Sequence, residues 1–337
     1  MAESTPPNRQ PIIEPRLTRL TLFAVDLLTE AVRNAHIEHW QLCPGVFQGR
    51  LTQLQRDGLI VNTGCYSRTL LARGELPTDA VMVGAILDAS EDGIINGTRF
   101  GNRDLVCLPP GAELEYLLPA RTHWLGIQIP TTLLPTLGLD QDWFRRPRVV
   151  SASAPGCAAV VTRLAQVSGD AGMAPCQCRR NADDAAHVGL DMAADDWRAD
   201  LAGVLRALFA RSSVDPPIGR QASFAERMQL LWRFEAHVRE RIAEPLRIPS
   251  ICDALGVNQR TLELVFQHQT GLAPLHCLRI LRLNAVRRAL QQGAARERGI
   301  AAVAADFGLR HAGRFAIAYR RFFGESPSAT SRLSSPM

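Results

Sequence analysis

Twice in its last third the chain repeats one three-part pattern: a short apolar stretch at helical spacing, a break centred on glycine, and a longer amphipathic stretch. Glycine adopts the left-handed backbone conformation that stops a helix without a Cβ penalty. Each occurrence therefore predicts two helices meeting at a tight turn. In the first, Pro249 suits the opening turn of a helix, where its missing N–H costs nothing, and Ile251, Ala254 and Leu255 give a short apolar face. Gly256 supplies the turn, Val257 a buried plug, and Asn258 a side-chain cap for the next helix. In the second, Ile300, Val303 and Ala304 form the short helix, Phe307, Gly308 and Leu309 the turn, and residues 312–323 the longer helix.

Helical periodicity divides each longer helix into two faces. Leu262, Val265 and Phe266 face inward and leave Arg260, Glu263, Leu264 and Gln267 outside. Phe315, Tyr319 and Phe322 do the same for Arg310, Arg314, Ile317 and Arg321, with Ala312 and Gly313 at the opening turn. Gly271 ends the first unit. Pro274 then opens a long helix to about Gln291, with Leu278, Leu281 and Ala285 on one side and Arg279, Arg282, Arg287 and Arg288 as solvated or phosphate-facing charge. Ser223 to Ala243 reads as an amphipathic helix leading in. All 38 basic residues are Arg, and from Gln221 onward 17 Arg stand against 9 acidic residues, whereas the preceding part is slightly acidic. Such a basic, doubly helical end suits a polyanion, and Arg in particular suits bidentate contact with phosphate and guanine.

The rest of the chain has a different texture. Pro6, Pro7, Pro11 and Pro15 exclude a regular helix at the start, and Thr18 to His39 spaces its apolar residues as a helix would. From Val46 to Pro130, short β-type runs are punctuated by Gly and Pro, which predicts a small barrel or sandwich. Residues 147–187 read as a surface excursion or irregular helix and Asp196 to Arg211 as a further helix. Val214 to Gly219, with paired prolines, is the expected linker. The domains expected are 1–213, a linker at 214–223, a helical domain at 224–332 and a tail at 333–337, an α+β chain of two units.

Metal and catalytic readings find little support. His36, Glu38, His39 and His123 lack a His-x-His strand pattern, and Cys176 and Cys178 have only His187 nearby, where zinc needs two further ligands. No catalytic or metal site is expected, and free thiols are expected for all eight cysteines. No apolar run has the roughly 18 residues of a membrane span, so no membrane role and a cytoplasmic location are expected.

Gly256-Val257-Asn258, Phe266, Gly271 to Pro274, Arg282 to Ala285, Phe307-Gly308, Phe315 and Tyr319 to Pro327 together resemble the AraC/XylS signature, over about a third of the chain. Within that family, Arg279 to Arg288 and His311 to Ala316 are similar to the regulator of the ethanolamine-utilisation operon, as are Leu42 to Gly49. Gly101 to Gly111 looks like the strand and turn of the family's N-terminal domains. The resemblance implies a cupin-like β-barrel followed by an all-α domain with two helix-turn-helix units on one long helix. It implies a transcription regulator, an activator, that reads double-stranded promoter DNA through Arg260, Glu263, Leu264, Gln267, Arg310, Ala312, Gly313, Arg314, Ile317 and Arg321. It further implies a small-molecule effector, ethanolamine with adenosylcobalamin as co-effector, and RNA polymerase and a second copy of the chain as partners. No pocket residue transfers; Tyr66, Met82 and Trp124 are guesses. The rival readings are a ligand-independent dimeric regulator and a cupin enzyme fused to a DNA-binding domain.

Overall fold

The computed structural model describes residues 16–22, 36–56, 58–151 and 222–333, with 25, 28, 202, 203, 205 and 206. The expected proline-rich arm, the excursion beyond residue 151 with Cys176 and Cys178, most of the helix at 196–211 and the linker lie outside these residues.

Among the described residues, twelve strands precede residue 222: β1 (Arg16–Leu22), β2 (His36–Gln41), β3 (Gly49–Arg56), β4 (Leu59–Tyr66), β5 (Leu70–Glu75), β6 (Ala80–Asp88), β7 (Gly93–Ile95), β8 (Thr98–Phe100), β9 (Leu105–Leu108), β10 (Glu113–Leu118), β11 (Thr122–Pro130) and β12 (Arg148–Val150). They form a seven-stranded sheet in the order β1-β3-β4-β11-β6-β9-β12 and a five-stranded sheet in the order β2-β5-β10-β7-β8. Two expectations are corrected. The region 18–39 read as a helix holds β1 and β2, and among the described residues no strand pairing joins the two sheets, so the expected cupin-like barrel is an open sandwich. The larger sheet ends in β1 and β12 and the smaller in β2 and β8, and none of these edge strands pairs across the gap between the sheets.

Strand alternation gives the larger sheet two buried faces. Val61, Val81, Val83, Leu125, Ile127 and Ile129 pack outward with Leu134, Leu137 and Phe144, whereas Tyr66, Ile86 and Val106 face the smaller sheet. Cys65 is disulfide-bonded, against the expected free thiol; Cys43, Cys252 and Cys277 are free thiols.

Among the described residues from 222 onward there are eight helices: α1 (Ala222–Glu240), α2 (Ile248–Leu255), α3 (Gln259–Thr270), α4 (Pro274–Gln291), α5 (Ala295–Arg298), α6 (Ile300–Asp306), α7 (Ala312–Phe323) and α8 (Pro327–Leu333). Their core is shared with the sandwich. Trp40, Leu42, Leu71, Ile94 and Leu117, from the outer side of the smaller sheet, join the cluster built on Phe234, Phe266, Leu278 and Phe322. The layers thus run from helices to small sheet to large sheet. Among the described residues no helix is long and apolar enough to cross a membrane.

Candidate functional site

The two helix pairs form for the reasons visible in the sequence. Pro249 sits in the first turn of α2, and Gly256 ends that helix at φ +68°, a conformation costly for any residue with a Cβ. Asn258 Oδ1 then accepts a hydrogen bond from the Thr261 backbone N–H at 2.7 Å, capping α3. Phe266 stacks edge-on against Phe234 with ring centroids 4.6 Å apart. In the second pair, Gly308 makes the turn at φ +76°, Phe315, Tyr319, Phe322 and Phe323 are buried, and the Tyr319 hydroxyl meets Thr330 Oγ1 at 2.8 Å. Ala254, expected on the apolar face of α2, is exposed instead, one position past the buried stripe.

All ten sequence-derived DNA-contact positions are exposed: Arg260, Glu263, Leu264 and Gln267 on α3, Arg310 in the turn, and Ala312, Gly313, Arg314, Ile317 and Arg321 on α7. Ile317 is 73% exposed and Leu264 49%, so two large apolar side chains stand in water where the helices' own cores do not use them. The sequence did not reveal that α4 and α7 enclose a groove of about 850 Å³, whose lining includes His276, Arg279, Arg282, Arg310, Arg314 and Arg321. The Arg282 guanidinium donates to the Glu244 carbonyl; burial, and then the charge of Arg310, lower its pKa.

Arg287 is corrected. It is buried rather than solvated, pairs with Glu325 at 2.8 Å and lies over the Phe323 ring at 4.6 Å, so it ties α4 to the end of α7.

Strand β2, the free edge of the smaller sheet, is where the helices dock. Asn284 Nδ2 on α4 donates to the Gln41 carbonyl at 3.1 Å, and the Gly45 N–H donates to the Phe322 carbonyl at 2.7 Å, at the end of α7. Glu38 pairs with Arg239 at 2.7 Å and lies 3.6 Å from Arg288, and Arg239 covers the Trp40 ring at 4.8 Å. The ion pairs are half-exposed and contribute little by themselves; the buried Trp40 and Asn284 contacts hold the seam. On the inner side of the same strand, His39 Nε2 meets the Tyr116 hydroxyl at 2.5 Å. Burial lowers the His39 pKa to about 3, against a smaller opposing effect of the Ile37 backbone and with a still smaller lowering by the Arg288 charge, so His39 is neutral.

Between the sheets lies a cavity of about 90 Å³, with Tyr66, Met82, Gly84, Tyr116, Trp124 and Gly126 in its walls. The three guessed pocket residues, Tyr66, Met82 and Trp124, converge here. Tyr116, on the opposite sheet, was missed. Burial raises the pKa of Tyr66 well above the usual tyrosine range, with the neighbouring Tyr116 adding to it, and burial raises Tyr116 as well; both are neutral phenols.

Residues 251–332 match the family described as "Helix-turn-helix domain". XylDLEGF operon transcriptional activator 2 of Pseudomonas putida is 32% identical over 110 residues, which are 33% of this chain and 70% of that protein. The chain belongs to the AraC/XylS family of DNA-binding transcription regulators. A second relative, the probable thc operon regulatory protein of Rhodococcus erythropolis, is 34% identical over 98 residues, 29% of this chain but only 28% of that protein. Another XylDLEGF operon activator of Pseudomonas putida is likewise matched over 30% of its length. Among solved structures, an AraC-type regulator from Chromobacterium violaceum aligns at 27% identity and a TM-score of 0.31, over 33% of this chain and 96% of that one.

Proposed function

We propose that the chain is a ligand-responsive activator whose α3 and α7 enter major-groove segments of promoter DNA, while residues 1–213 sense a small effector and residues 224–332 carry the reading helices across the linker at 214–223. The observation that supports it most is the pair of capped helices whose aromatic residues are buried and whose arginine-bearing faces are left to solvent. Arg260 and Arg314 suit guanine O6 and N7, Glu263 suits cytosine N4, and Ala312, Gly313 and Ile317 suit thymine methyls or close backbone approach. An α4 of 18 residues extends roughly 27 Å at 1.5 Å per residue, comparable with the ~34 Å repeat between successive groove faces. RNA polymerase and a second copy of the chain complete this reading as partners.

Effector control requires differential contact in two arrangements of the molecule. The seam at β2 offers the route, because one strand carries His39, bonded to the cavity wall, and Gln41, bonded to α4. The finer likeness to the ethanolamine-operon regulator would make ethanolamine and adenosylcobalamin the signals. Neither suits the cavity: its described lining carries no charged side chain for an ammonium group, and about 90 Å³ cannot enclose a corrinoid.

The test is a promoter-probe titration with the full chain. Arg260→Ala is expected to lose about 1–3 kcal/mol of preference at one or two base pairs with unchanged folding stability. Equal loss on operator and random DNA would remove Arg260 from the base readers.

A further inference from the structure

The face that the larger sheet turns toward the sandwich interior is unusual for a protein core. Along β4, β11 and β6 the inward positions are Asn62, Gly64 and Tyr66, then Trp124, Gly126 and Gln128, then Met82, Gly84 and Ile86, whereas the opposite face of the same strands is mainly aliphatic, with Thr63, Cys65 and His123 toward one end. A sandwich interior normally fills with large apolar side chains from both sheets.

The glycines separate into two kinds. Gly64 is required by its neighbour: a Cβ there would come within 2.8 Å of the Trp124 indole nitrogen, with which it is in register. Gly84 and Gly126 are directly paired across β6 and β11. A Cβ at either would meet nothing closer than 3.5 Å, and neither has positive φ. Neither packing nor backbone demands glycine at these two positions; their effect is to keep the cavity floor bare.

Above that floor the chemistry is specific. Tyr66 is 1% exposed and its ring lies 5.8 Å from that of Trp124, centroid to centroid, yet Tyr66 Oη and Trp124 Nε1 are both buried without a hydrogen-bond partner. Tyr116, by contrast, is engaged with His39. Two buried polar groups with unmet capacity are costly unless something completes them. Trp can only donate and Tyr can donate, so the missing partner is an acceptor. None of the described lining residues carries a charge, so an ion entering here would shed its hydration with no counter-charge in return.

Resting on the reading of the sandwich as the effector-sensing half, we infer that the cavity binds a small uncharged molecule with an apolar body and one hydrogen-bond acceptor, seated on Gly84 and Gly126 and held by Tyr66 and Trp124. At about 90 Å³ the cavity is smaller than the ~150 Å³ apolar cavity that accommodates benzene in an engineered core, which limits the ligand to the bulk of a five-membered ring or less.

Four probes of similar bulk separate the chemistries: cyclopentanone, neutral with an acceptor; cyclopentane, without one; butyrate, an anion; and ethanolamine, a cation. With the full chain, ligand-observed NMR is expected to show cyclopentanone binding at least tenfold tighter than cyclopentane, with butyrate and ethanolamine unbound. Tyr66→Phe and, separately, Trp124→Phe should bring cyclopentanone and cyclopentane within about threefold of each other, and Gly126→Val should abolish both, with circular dichroism confirming that each variant folds. Tightest binding of an ion, equal binding of the two neutral probes by the native chain, or no binding at all would overturn the inference. Binding in the expected order with unchanged operator affinity would support the ligand class while breaking the effector reading.

Discussion

The inward face of β4, β6 and β11 and the outward faces of α3 and α7 have one property in common and differ in another. Each lies opposite a packed core, on the far side of the same strands or the aromatic side of the same helices, and holds positions that packing leaves unused: Gly84 and Gly126 inside, the exposed arginines outside. One face is buried and uncharged; the other is exposed and rich in arginine. Unused surface inside a protein can select only by shape and hydrogen bonding, because charge there is prohibitively costly. Unused surface outside can attract a polyanion at little desolvation cost. The contrast fits the small neutral ligand proposed for the first and the DNA contact proposed for the second.

The comparison is sharpest on the sheet itself. Ile127→Ala, on the aliphatic side, is expected to cost about 4 kcal/mol of stability in urea unfolding, whereas the adjacent Gly126→Ala, facing the cavity, should stay within about 1 kcal/mol and could stabilise by restricting the unfolded chain. Similar large losses at both positions would mean that the inner face is ordinary core.

The helical domain offers the parallel case. Arg287→Ala breaks a buried pair with Glu325 and should lower stability by about 3 kcal/mol, while the exposed Arg279→Ala should change stability by less than ~0.5 kcal/mol and reduce the salt dependence of DNA binding. A stable Arg287→Ala protein with weakened DNA affinity would restore the solvated, phosphate-facing role expected from sequence.

The smallest effect concerns the strand between the two regions. His39 has a folded pKa of about 3 against an ordinary ~6.5, so the unfolded chain binds the extra proton. Stability from this group is fully present above pH 6.5 and is lost as pH falls toward 3, by about 2 kcal/mol at pH 5. His39→Gln, which keeps a partner for Tyr116 and cannot titrate, should flatten that part of the stability profile. An unchanged profile would show that His39 is not the group responsible.

How much was legible follows from which residues answer to local rules. Gly256, Asn258, Gly271 and Pro274 act within a few residues of their own positions, and the helices they bound were readable to within a residue or two. Strands β1 and β2 were not. β1 is an exposed edge whose burial leaves no alternation, and β2 is covered on both sides, by the sandwich through Ile37 and His39 and by the helices through Trp40, so neither a period of two nor one of 3.6 stands out. Arg287 looked like any helical arginine because its partner Glu325 is distant in sequence. Tyr66, Met82 and Trp124 could be guessed as pocket residues, but only strand register shows why they meet.

The sequence by itself determined the paired helices, their inward and outward faces, and the basic character of the end that carries them, because turns, caps and periodicity are set by neighbours along the chain. Tertiary structure alone decided that the strands form an open sandwich, that β2 is the docking edge for the helices, and that two unhindered glycines lie side by side beneath a pair of unsatisfied donors. Those features depend on which distant segments pair and in what register, a choice made by the summed packing of both sheets and invisible in any one stretch.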